Sequence, residues 1–300
     1  MSSELLSSDI LNAVTNYVAD LKKSVTFVLQ TGTHEKREEL VDFLSTLAAT
    51  SPSLAFDQRD TRGSLRSPVS FTLEADDEPT GIIFSGIPSG HEFNSLILAI
   101  LQSGAASDLK LDASIIETVQ SIIQPLRFEV FISLSCHNCP DVVQTLNKFA
   151  LLNKKISTEM IDGGLFQEII EERQIQGVPS VFMNGELFMN GKVDTASILD
   201  KLRPMAAKTD AAPEHALPEQ DVVVIGGGPA AISAAIYSAR KGLSVTLIAE
   251  TLGGQVKDTM DIENLISVPA TTGTKLTGNL HEHLCEYDIT LREHLRVTEI

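Results

Sequence analysis

Two cysteines separated by two residues are the part of this sequence with the most specific chemistry. Cys136 and Cys139 enclose His137 and Asn138, and Pro140 follows directly. The residues before the pair predict a buried strand and those after it predict a helix, so the cysteines are expected where the helix starts. Free backbone N–H groups and the positive end of the helix dipole favour an anion at that position. We therefore expect Cys136 to have a lowered pKa and to act as the attacking thiolate, and Cys139 to resolve the mixed disulfide.

A zinc site and a pair of inert core thiols are the two other uses of such a cysteine pair. Zinc would need two further ligands, and the nearest cluster, formed by His281, His283 and Cys285, lies far along the sequence. Val178-Pro179 supports redox chemistry, because a proline that begins a strand is the arrangement that sets a cis-proline backbone beside the sulfurs. The sequence therefore predicts a redox dithiol with Pro179 beside it, and no metal site.

A glycine-rich turn follows a short apolar strand at residues 221–225. Gly226 allows a tight turn, Gly228 lets a pyrophosphate approach the backbone, and Ala231 permits close packing of helix and strand. The N-terminus of the following helix supplies donors to the phosphates. Glu250 ends the next strand, at the spacing of an acid that binds an adenosine ribose. The sequence therefore predicts a dinucleotide site, whose candidates on the turn are Gly226, Gly228, Pro229, Ala230 and Ala231.

Composition restricts the partners and the cellular location. The 300 residues include 40 acidic and 23 basic side chains, which gives a net charge of −17 and a pI near 4.8. That sign disfavours nucleic-acid partners and anionic membrane surfaces. The sequence shows no secretory signal, no apolar run long enough for a membrane span and no disulfide framework. We expect a soluble cytoplasmic protein of two or three domains.

A repeated α/β unit of roughly 80 residues precedes residue 203. Residues 25–48 and 128–151 each read as a buried strand, a loop and an amphipathic helix. A proline followed by a short strand comes next, at Pro68 in the first copy and at Pro179 in the second. The first copy has Thr-His-Glu-Lys at residues 33–36, where the second has its cysteines, so the first copy cannot shuttle electrons.

A stretch rich in proline and alanine, residues 203–220, is the best candidate for a linker, because it has no sustained apolar period and buries little. We therefore expect a unit without the cysteine pair over residues 1–110 and a unit with it over residues 111–202. The linker and the start of a nucleotide-binding domain over residues 221–300 follow.

Glu92 has two candidate roles. Ser89, Gly90, His91 and Glu92 precede an apolar helix, and their Ser-x-x-Glu spacing is that of a capping box. The alternative is a role for Glu92 beside the dithiol. The pattern of residues leaves both open.

Several segments together match those of one known flavoprotein family. They are residues 135–144, 161–164, 177–179, 236–242, 253–255, 261–264 and 266–269. With them the chain resembles, over its whole length, the flavoprotein subunit of bacterial alkyl hydroperoxide reductase. The resemblance implies an α/β protein with two fused thioredoxin-like folds, followed by the incomplete start of a Rossmann-like FAD-binding domain. Glu92 resembles the acidic residue near the family's dithiol. Gln255 and Asn264 match positions that line the flavin, and Gly254 belongs to the same matching segment.

The same resemblance implies an electron path. Electrons would pass from NADH to FAD, then to a disulfide in the flavin module, to Cys136 and Cys139, and finally to a peroxiredoxin subunit; a homodimer is also implied. Two alternatives stay open: a similar reductase that serves thioredoxin-like carriers or protein disulfides generally, and a non-catalytic redox-sensing adaptor.

The sequence departs from the family at its end. The family continues with the rest of the FAD domain, a nicotinamide domain and a second Cys-x-x-Cys. Residues 221–300 predict a single βαβ crossover, whose parallel sheet would have one face uncovered. We therefore expect the N-terminal part of a longer protein, with the NADH site outside this chain.

Overall fold

The computed structural model describes residues 6–191, 193–206, 219–297 and 299. The chain divides into two compact units, the first comprising Met1–Lys110, Thr118–Val193 and Leu202–Ala207, the second Leu111–Glu117, Asp194–Lys201 and Lys208–Ile300. Most of the expected linker, residues 207–218, lies outside the described residues, so the linker and the domain boundaries remain predictions. Within the described ranges, no helix combines the length and the apolar character needed to cross a membrane.

One 8-stranded sheet forms the centre of the first unit. Its order is β2-β1-β3-β4-β6-β5-β7-β8, so the last four strands repeat the arrangement of the first four. In each half the first strand pairs in parallel with the second and antiparallel with the third. This repeated topology confirms the two fused thioredoxin-like folds. The strands are β1 Val25–Gln30, β2 Leu54–Arg59, β3 Ser70–Ala75, β4 Glu78–Ser85, β5 Leu126–Ile132, β6 Ile156–Asp162, β7 Ser180–Met183 and β8 Glu186–Asn190.

Helices follow these strands in the order that the repeat predicts. In α2, which follows β1, the buried side chains are apolar and recur at helical spacing, and α5 repeats the arrangement after β5. Phe71 and Phe84 stack in the core with ring centroids 5.2 Å apart. The helices up to residue 202 are α1 Ser8–Val18, α2 Arg37–Ala48, α3 Phe93–Ser103, α4 Ala113–Gln120, α5 Cys139–Leu152, α6 Gln167–Glu172 and α7 Thr195–Leu202.

The two halves of the sheet join through β4 and β6, which pair in parallel from Ile82–Thr158 to Ser85–Ile161. Neither β2 nor β6 was part of the predicted repeat. Only Leu54 of β2 is buried, and β6 buries polar Thr158 and Glu159, so neither strand shows an apolar run. The junction fixes the first copy against the second as one continuous sheet.

A buried ionic cluster reinforces this junction. Arg66, from the loop before β3, pairs with Glu129 on β5 and with Glu159 on β6; its Nε lies 2.8 Å from Glu159 Oε1. The Ser85 hydroxyl donates to the same Glu159 oxygen at 2.6 Å. Burial opposes ionisation of Glu159, but the hydrogen bonds from Arg66 and Ser85 outweigh it and lower the pKa of its carboxyl. Arg127 Nη2 lies 2.9 Å from the other Glu159 oxygen. Because the Glu159 side chain is only 2% exposed, loss of Arg66 would leave a buried charge with one arginine instead of two.

A three-stranded parallel sheet in the order β11-β10-β9 lies at the centre of the second unit. Helices α8 and α9 connect its strands, so there are two crossovers and the prediction of a single one is wrong. The last strand, with the sequence ITLRE, is too short and too polar to be identified from periodicity. Val223 and Ile225 of the first strand are 51% and 50% exposed, which confirms an uncovered face there. The elements are β9 Val222–Ile225, α8 Pro229–Ala239, β10 Val245–Ala249, α9 Gly273–Cys285 and β11 Ile289–Glu293.

Candidate redox site

The two cysteines of the pair form a disulfide, with Cα atoms 5.6 Å apart. Cys139 is fully buried, whereas Cys136 is half-buried. Helix α5 begins at Cys139 and not at Cys136, because Pro140 favours the first helical turn and fixes where the helix starts. Cys136 lies in the preceding turn, where its N–H donates to the Ser133 carbonyl oxygen at 2.9 Å. The lowered pKa of Cys136 stays a prediction.

Pro179 lies beside the dithiol, as predicted. Val178-Pro179 is a cis peptide bond, and the Val178 carbonyl oxygen is 4.0 Å from Cys136 Sγ. The equivalent bond before Pro68 is not cis. Among the described residues, no cluster of three His, Cys, Asp or Glu side chains could hold a metal ion, and Cys285 is an exposed free thiol.

The copy without cysteines contributes to the site through the turn before α3, from which the sequence offered Glu92 as a candidate but did not predict the contacts of Gly90 and His91. Gly90 has φ +56°. A Cβ atom there would lie 2.7 Å from the carbonyl oxygen of Leu134, in the segment 133–138 between β5 and α5, here called the dithiol loop. The His91 N–H donates to the same oxygen at 3.2 Å. The rings of His91 and His137 lie 4.2 Å apart. The dithiol loop is therefore held by both copies.

Glu92 ends this turn and is completely buried. Neither Ser89 nor Glu92 forms a side-chain cap, and both Glu92 carboxyl oxygens lack a hydrogen-bond partner, so the capping-box interpretation is wrong. Burial raises the pKa of Glu92 to about 7, helped by the nearby charge of Asp141 and opposed by the Ser95 hydroxyl. That hydroxyl lies near the carboxyl without forming a hydrogen bond of normal geometry. A carboxyl with this pKa can give or take a proton at neutral pH.

The glycine turn of the second unit has the backbone that its sequence predicts. Gly226 has φ +127°, and its N–H donates to the Ile248 carbonyl oxygen at 2.8 Å. A Cβ atom at Gly226 would lie 3.5 Å from Ala231 Cβ, so the turn and the helix pack closely. A Cβ atom at Gly227 would lie 2.2 Å from the Thr251 carbonyl oxygen, so this residue must also be glycine, a requirement that the sequence reasoning missed.

The start of α8 fits a phosphate group. Gly228 precedes the helix in an extended conformation, and a Cβ atom there would meet nothing within 4 Å. Pro229, Ala230 and Ala231 form the first turn; Pro229 has no N–H, and the N–H groups of Ala230 and Ala231 have no partners within a helix. The space beside Gly228 and these donors together suit a pyrophosphate.

The remaining cofactor candidates are less closely grouped. Gly254 lies against the turn, since its Cβ would be 3.1 Å from Gly228 Cα. Glu250 pairs with Arg296 in a two-pronged contact of 2.7 and 3.0 Å. Gln255 and Asn264 are exposed. The structure thus gathers the phosphate-binding candidates and leaves the roles of Glu250, Gln255 and Asn264 as predictions.

Two parts of the chain match known family models. Residues 126–203 match the one described as thioredoxin domain, and residues 221–284 match the one described as FAD dependent oxidoreductase. The AhpF component of alkyl hydroperoxide reductase in Staphylococcus aureus (strain Mu50 / ATCC 700699) is 43% identical over 297 residues, which is 99% of this chain and 56% of that protein. The protein of the same name in Staphylococcus epidermidis is 42% identical over the same shares.

Solved structures resemble about two thirds of the chain. The NTD_N/C domain of alkylhydroperoxide reductase AhpF from Enterococcus faecalis (V583) matches with a TM-score of 0.61 and 30% identity, covering 66% of this chain and 99% of that one. A protein disulfide oxidoreductase from Aeropyrum pernix K1 matches with a TM-score of 0.58 and 20% identity, over 67% and 93%. The second likeness concerns the fold alone.

The fold and the site define a class: a double thioredoxin-fold protein with a redox cysteine pair, followed by the start of a Rossmann-like domain that matches FAD dependent oxidoreductases. Within that class, the identity to the Enterococcus faecalis domain and to the staphylococcal proteins decides the family. The chain belongs to the AhpF family of alkyl hydroperoxide reductase components. It spans 56% of the length of the curated relatives that it matches.

Proposed function

We propose that the whole protein is a flavin-linked disulfide reductase that passes electrons from NADH through FAD and the Cys136–Cys139 pair to a peroxiredoxin. The observation that carries the proposal is the disulfide itself, which joins a half-buried sulfur to a fully buried one beside the cis Val178-Pro179 bond. Family membership supports the flavin and the acceptor. The same likeness supports a homodimer and a cytoplasmic location.

The reduced pair would act on the acceptor's disulfide in two exchanges. The Cys136 thiolate attacks one acceptor sulfur, so that the acceptor's S–S bond breaks, a mixed disulfide forms and one acceptor thiolate leaves. Cys139 then attacks Cys136 Sγ, which restores the Cys136–Cys139 bond and releases the second acceptor thiolate. The acceptor gains two electrons and, in water, two protons. Partial exposure of Cys136 and full burial of Cys139 support these roles.

Glu92 would accept the proton of the Cys139 thiol and later return it. Resolution requires the Cys139 thiolate, and a buried thiol has no direct access to water. Glu92 is buried beside the start of α5, and its pKa near 7 leaves a large fraction ionised at neutral pH. The ionised carboxylate can accept the thiol proton during resolution and return one when the pair is reduced again.

The glycine turn would hold the cofactor. Gly226, Gly228 and the first turn of α8, residues 229–231, would bind the pyrophosphate of FAD, and Glu250 would bind the ribose in place of Arg296 or together with it. Gly254, Gln255 and Asn264 would lie along the flavin. FAD, when bound, supplies the two-electron chemistry that NADH requires.

An exchange assay tests this function. The chain and its Cys136→Ser variant are each incubated with dithiothreitol and either an oxidised peroxiredoxin, an oxidised thioredoxin-like carrier or a small aromatic disulfide. We expect fast reduction of the peroxiredoxin that depends on Cys136. Equal or faster turnover of the carrier would favour a reductase with another acceptor, and no Cys136-dependent turnover at all would favour the redox-sensing adaptor.

A second assay tests the cofactor. Full-length protein should purify with bound flavin, and Gly228→Val should purify without it, because the added side chain fills the space that the pyrophosphate needs. Equal flavin in both proteins would contradict the assignment of the glycine turn.

A further inference from the structure

Ser95 and Gln144 connect the two copies next to Glu92. Ser95 lies in the first turn of α3 and is fully buried, and Gln144 lies on the neighbouring α5. The Gln144 side-chain amide donates from Nε2 to Ser95 Oγ at 3.3 Å. Neither residue takes part in the exchange chemistry described above.

This hydrogen bond restricts where the Ser95 hydrogen can point. A serine hydroxyl has one hydrogen to donate. Because Ser95 Oγ accepts from Gln144, that hydrogen must be directed elsewhere. Glu92 precedes Ser95 by three positions, and its two carboxyl oxygens are buried without a partner. Its carboxylate is the acceptor next to this hydroxyl.

We propose that Ser95 and Gln144 are positioning residues for Glu92: Gln144 orients the Ser95 hydroxyl, which donates to the Glu92 carboxylate when that group is ionised. The inference rests on the proposed role of Glu92 in the dithiol reaction. A hydrogen bond to the charged form favours that form, so the pair keeps Glu92 acidic enough to accept a proton near neutral pH. The pKa of Glu92 thus depends on one residue from each copy, Ser95 on α3 and Gln144 on α5.

The other ionisable groups around Glu92 are few. Asp141 on α5 is a charged neighbour of Glu92, His91 precedes Glu92 in its own turn, and His137 contacts His91 from the dithiol loop. Helices α1 and α2 and strand β3 also pack against α3. The buried side chains of these three elements are Val14, Val18, Leu40, Phe43, Leu44, Leu47, Ser70, Phe71 and Leu73, none of which titrates.

The test is the pH profile of acceptor reduction by the reduced chain, compared among variants. The rate is expected to rise with pH as Glu92 ionises, and this part of the profile is the Glu92-dependent limb. Ser95→Ala removes the hydrogen-bond donor, so we expect the midpoint of the limb to rise by about one pH unit, because the loss of one hydrogen bond to a charged group shifts a pKa by about that much. Gln144→Leu should shift the midpoint in the same direction by less, and the double variant should match Ser95→Ala. Ser95→Thr keeps the hydroxyl and should restore the original midpoint.

Thr158→Val is the matched control. Like Ser95, Thr158 carries a buried hydroxyl, but this hydroxyl lies on β6 and has no hydrogen-bond partner. It should leave the midpoint unchanged. The carboxyl infrared band that disappears in Glu92→Gln provides a second titration of Glu92, independent of activity, for any variant with reduced exchange rates. If Glu92→Gln keeps the wild-type limb, the proposed role of Glu92 fails. If Glu92→Gln abolishes the limb but neither Ser95→Ala nor Gln144→Leu moves its midpoint, the positioning inference is overturned.

Discussion

Replacement of Glu92 by glutamine should change how the stability of the oxidised protein depends on pH. Burial raises the pKa of Glu92 from its ordinary 4.5 to about 7 in the folded protein. At 1.36 kcal/mol for each pKa unit, this rise corresponds to about 3 kcal/mol of unfolding free energy. Below pH 4.5 the carboxyl is protonated in the folded and in the unfolded protein, so its titration does not lower the free energy of unfolding there. As the pH rises to 7, the unfolded chain loses the proton first, so the wild-type free energy of unfolding falls, and above pH 7 the loss is complete.

Urea unfolding of the wild type and Glu92→Gln at a series of pH values measures this effect. Far-ultraviolet circular dichroism is a suitable probe because the chain contains no tryptophan. The stability of Glu92→Gln relative to the wild type should increase by about 3 kcal/mol between pH 4.5 and pH 8, since all other titrating groups are common to both proteins. Glu78→Gln, which alters an exposed carboxyl paired with Lys154, is the matched control and should show almost no pH-dependent difference. A difference between the wild type and Glu92→Gln that stays constant across this range would refute the argument from burial.

Three further substitutions test other parts of the structure. Arg66→Met removes one of the two arginines that pair with each buried carboxylate, since Arg127 stays with Glu159 and Arg173 stays with Glu129, and should lower the free energy of unfolding by about 1.5–3 kcal/mol. Lys154→Met, at an exposed pair, should cost less than about 1 kcal/mol in the same urea titration. Gly90→Ala should slow reduction of the disulfide roughly tenfold in stopped-flow traces, because the added Cβ would contact the dithiol loop and cause about 1–2 kcal/mol of strain. Gly63→Ala is the control: Gly63 also has a positive φ, +80°, but a Cβ there would lie in open space, so the rate of reduction should not change. Gly227→Ala should abolish flavin absorbance in the full-length protein, because its Cβ meets a backbone oxygen at 2.2 Å, and normal flavin content would contradict the tight turn.

Local sequence patterns predicted much of the site because its chemistry depends on short spacings. The Cys-x-x-Cys pair, the proline that begins β7 and the glycine turn before α8 each occupy a few consecutive residues. Their conformations follow from local rules: a proline favours the first helical turn, and a tight turn with positive φ requires glycine. Pro179 and Gly226 accordingly lie where the sequence predicted.

Contacts between distant segments could not be predicted in this way. The pairing of β4 with β6 joins residues more than 70 positions apart, as the separation of Ser85 and Glu159 shows, and β6 buries a charged residue that reads as exposed. Gly90 and His91 reach the dithiol loop only because this junction brings the copies together. Glu92 fitted a capping box by spacing, but its burial against α5 gave it a different environment. The resemblance to a family, and not periodicity, indicated its place near the dithiol.

Alkylation of the reduced protein by iodoacetamide, followed at each cysteine by peptide mass spectrometry from pH 4 to pH 9, is the most direct test of the electron relay. We expect Cys136 to be modified first and to remain reactive well below the ordinary thiol pKa of about 8.5, with buried Cys139 protected. Cys285, an exposed cysteine outside the disulfide, provides an internal reference for the rate of modification. If Cys136 is modified no faster than Cys285 below pH 8.5, or if Cys139 reacts before Cys136, the assignment of Cys136 as the attacking sulfur is wrong.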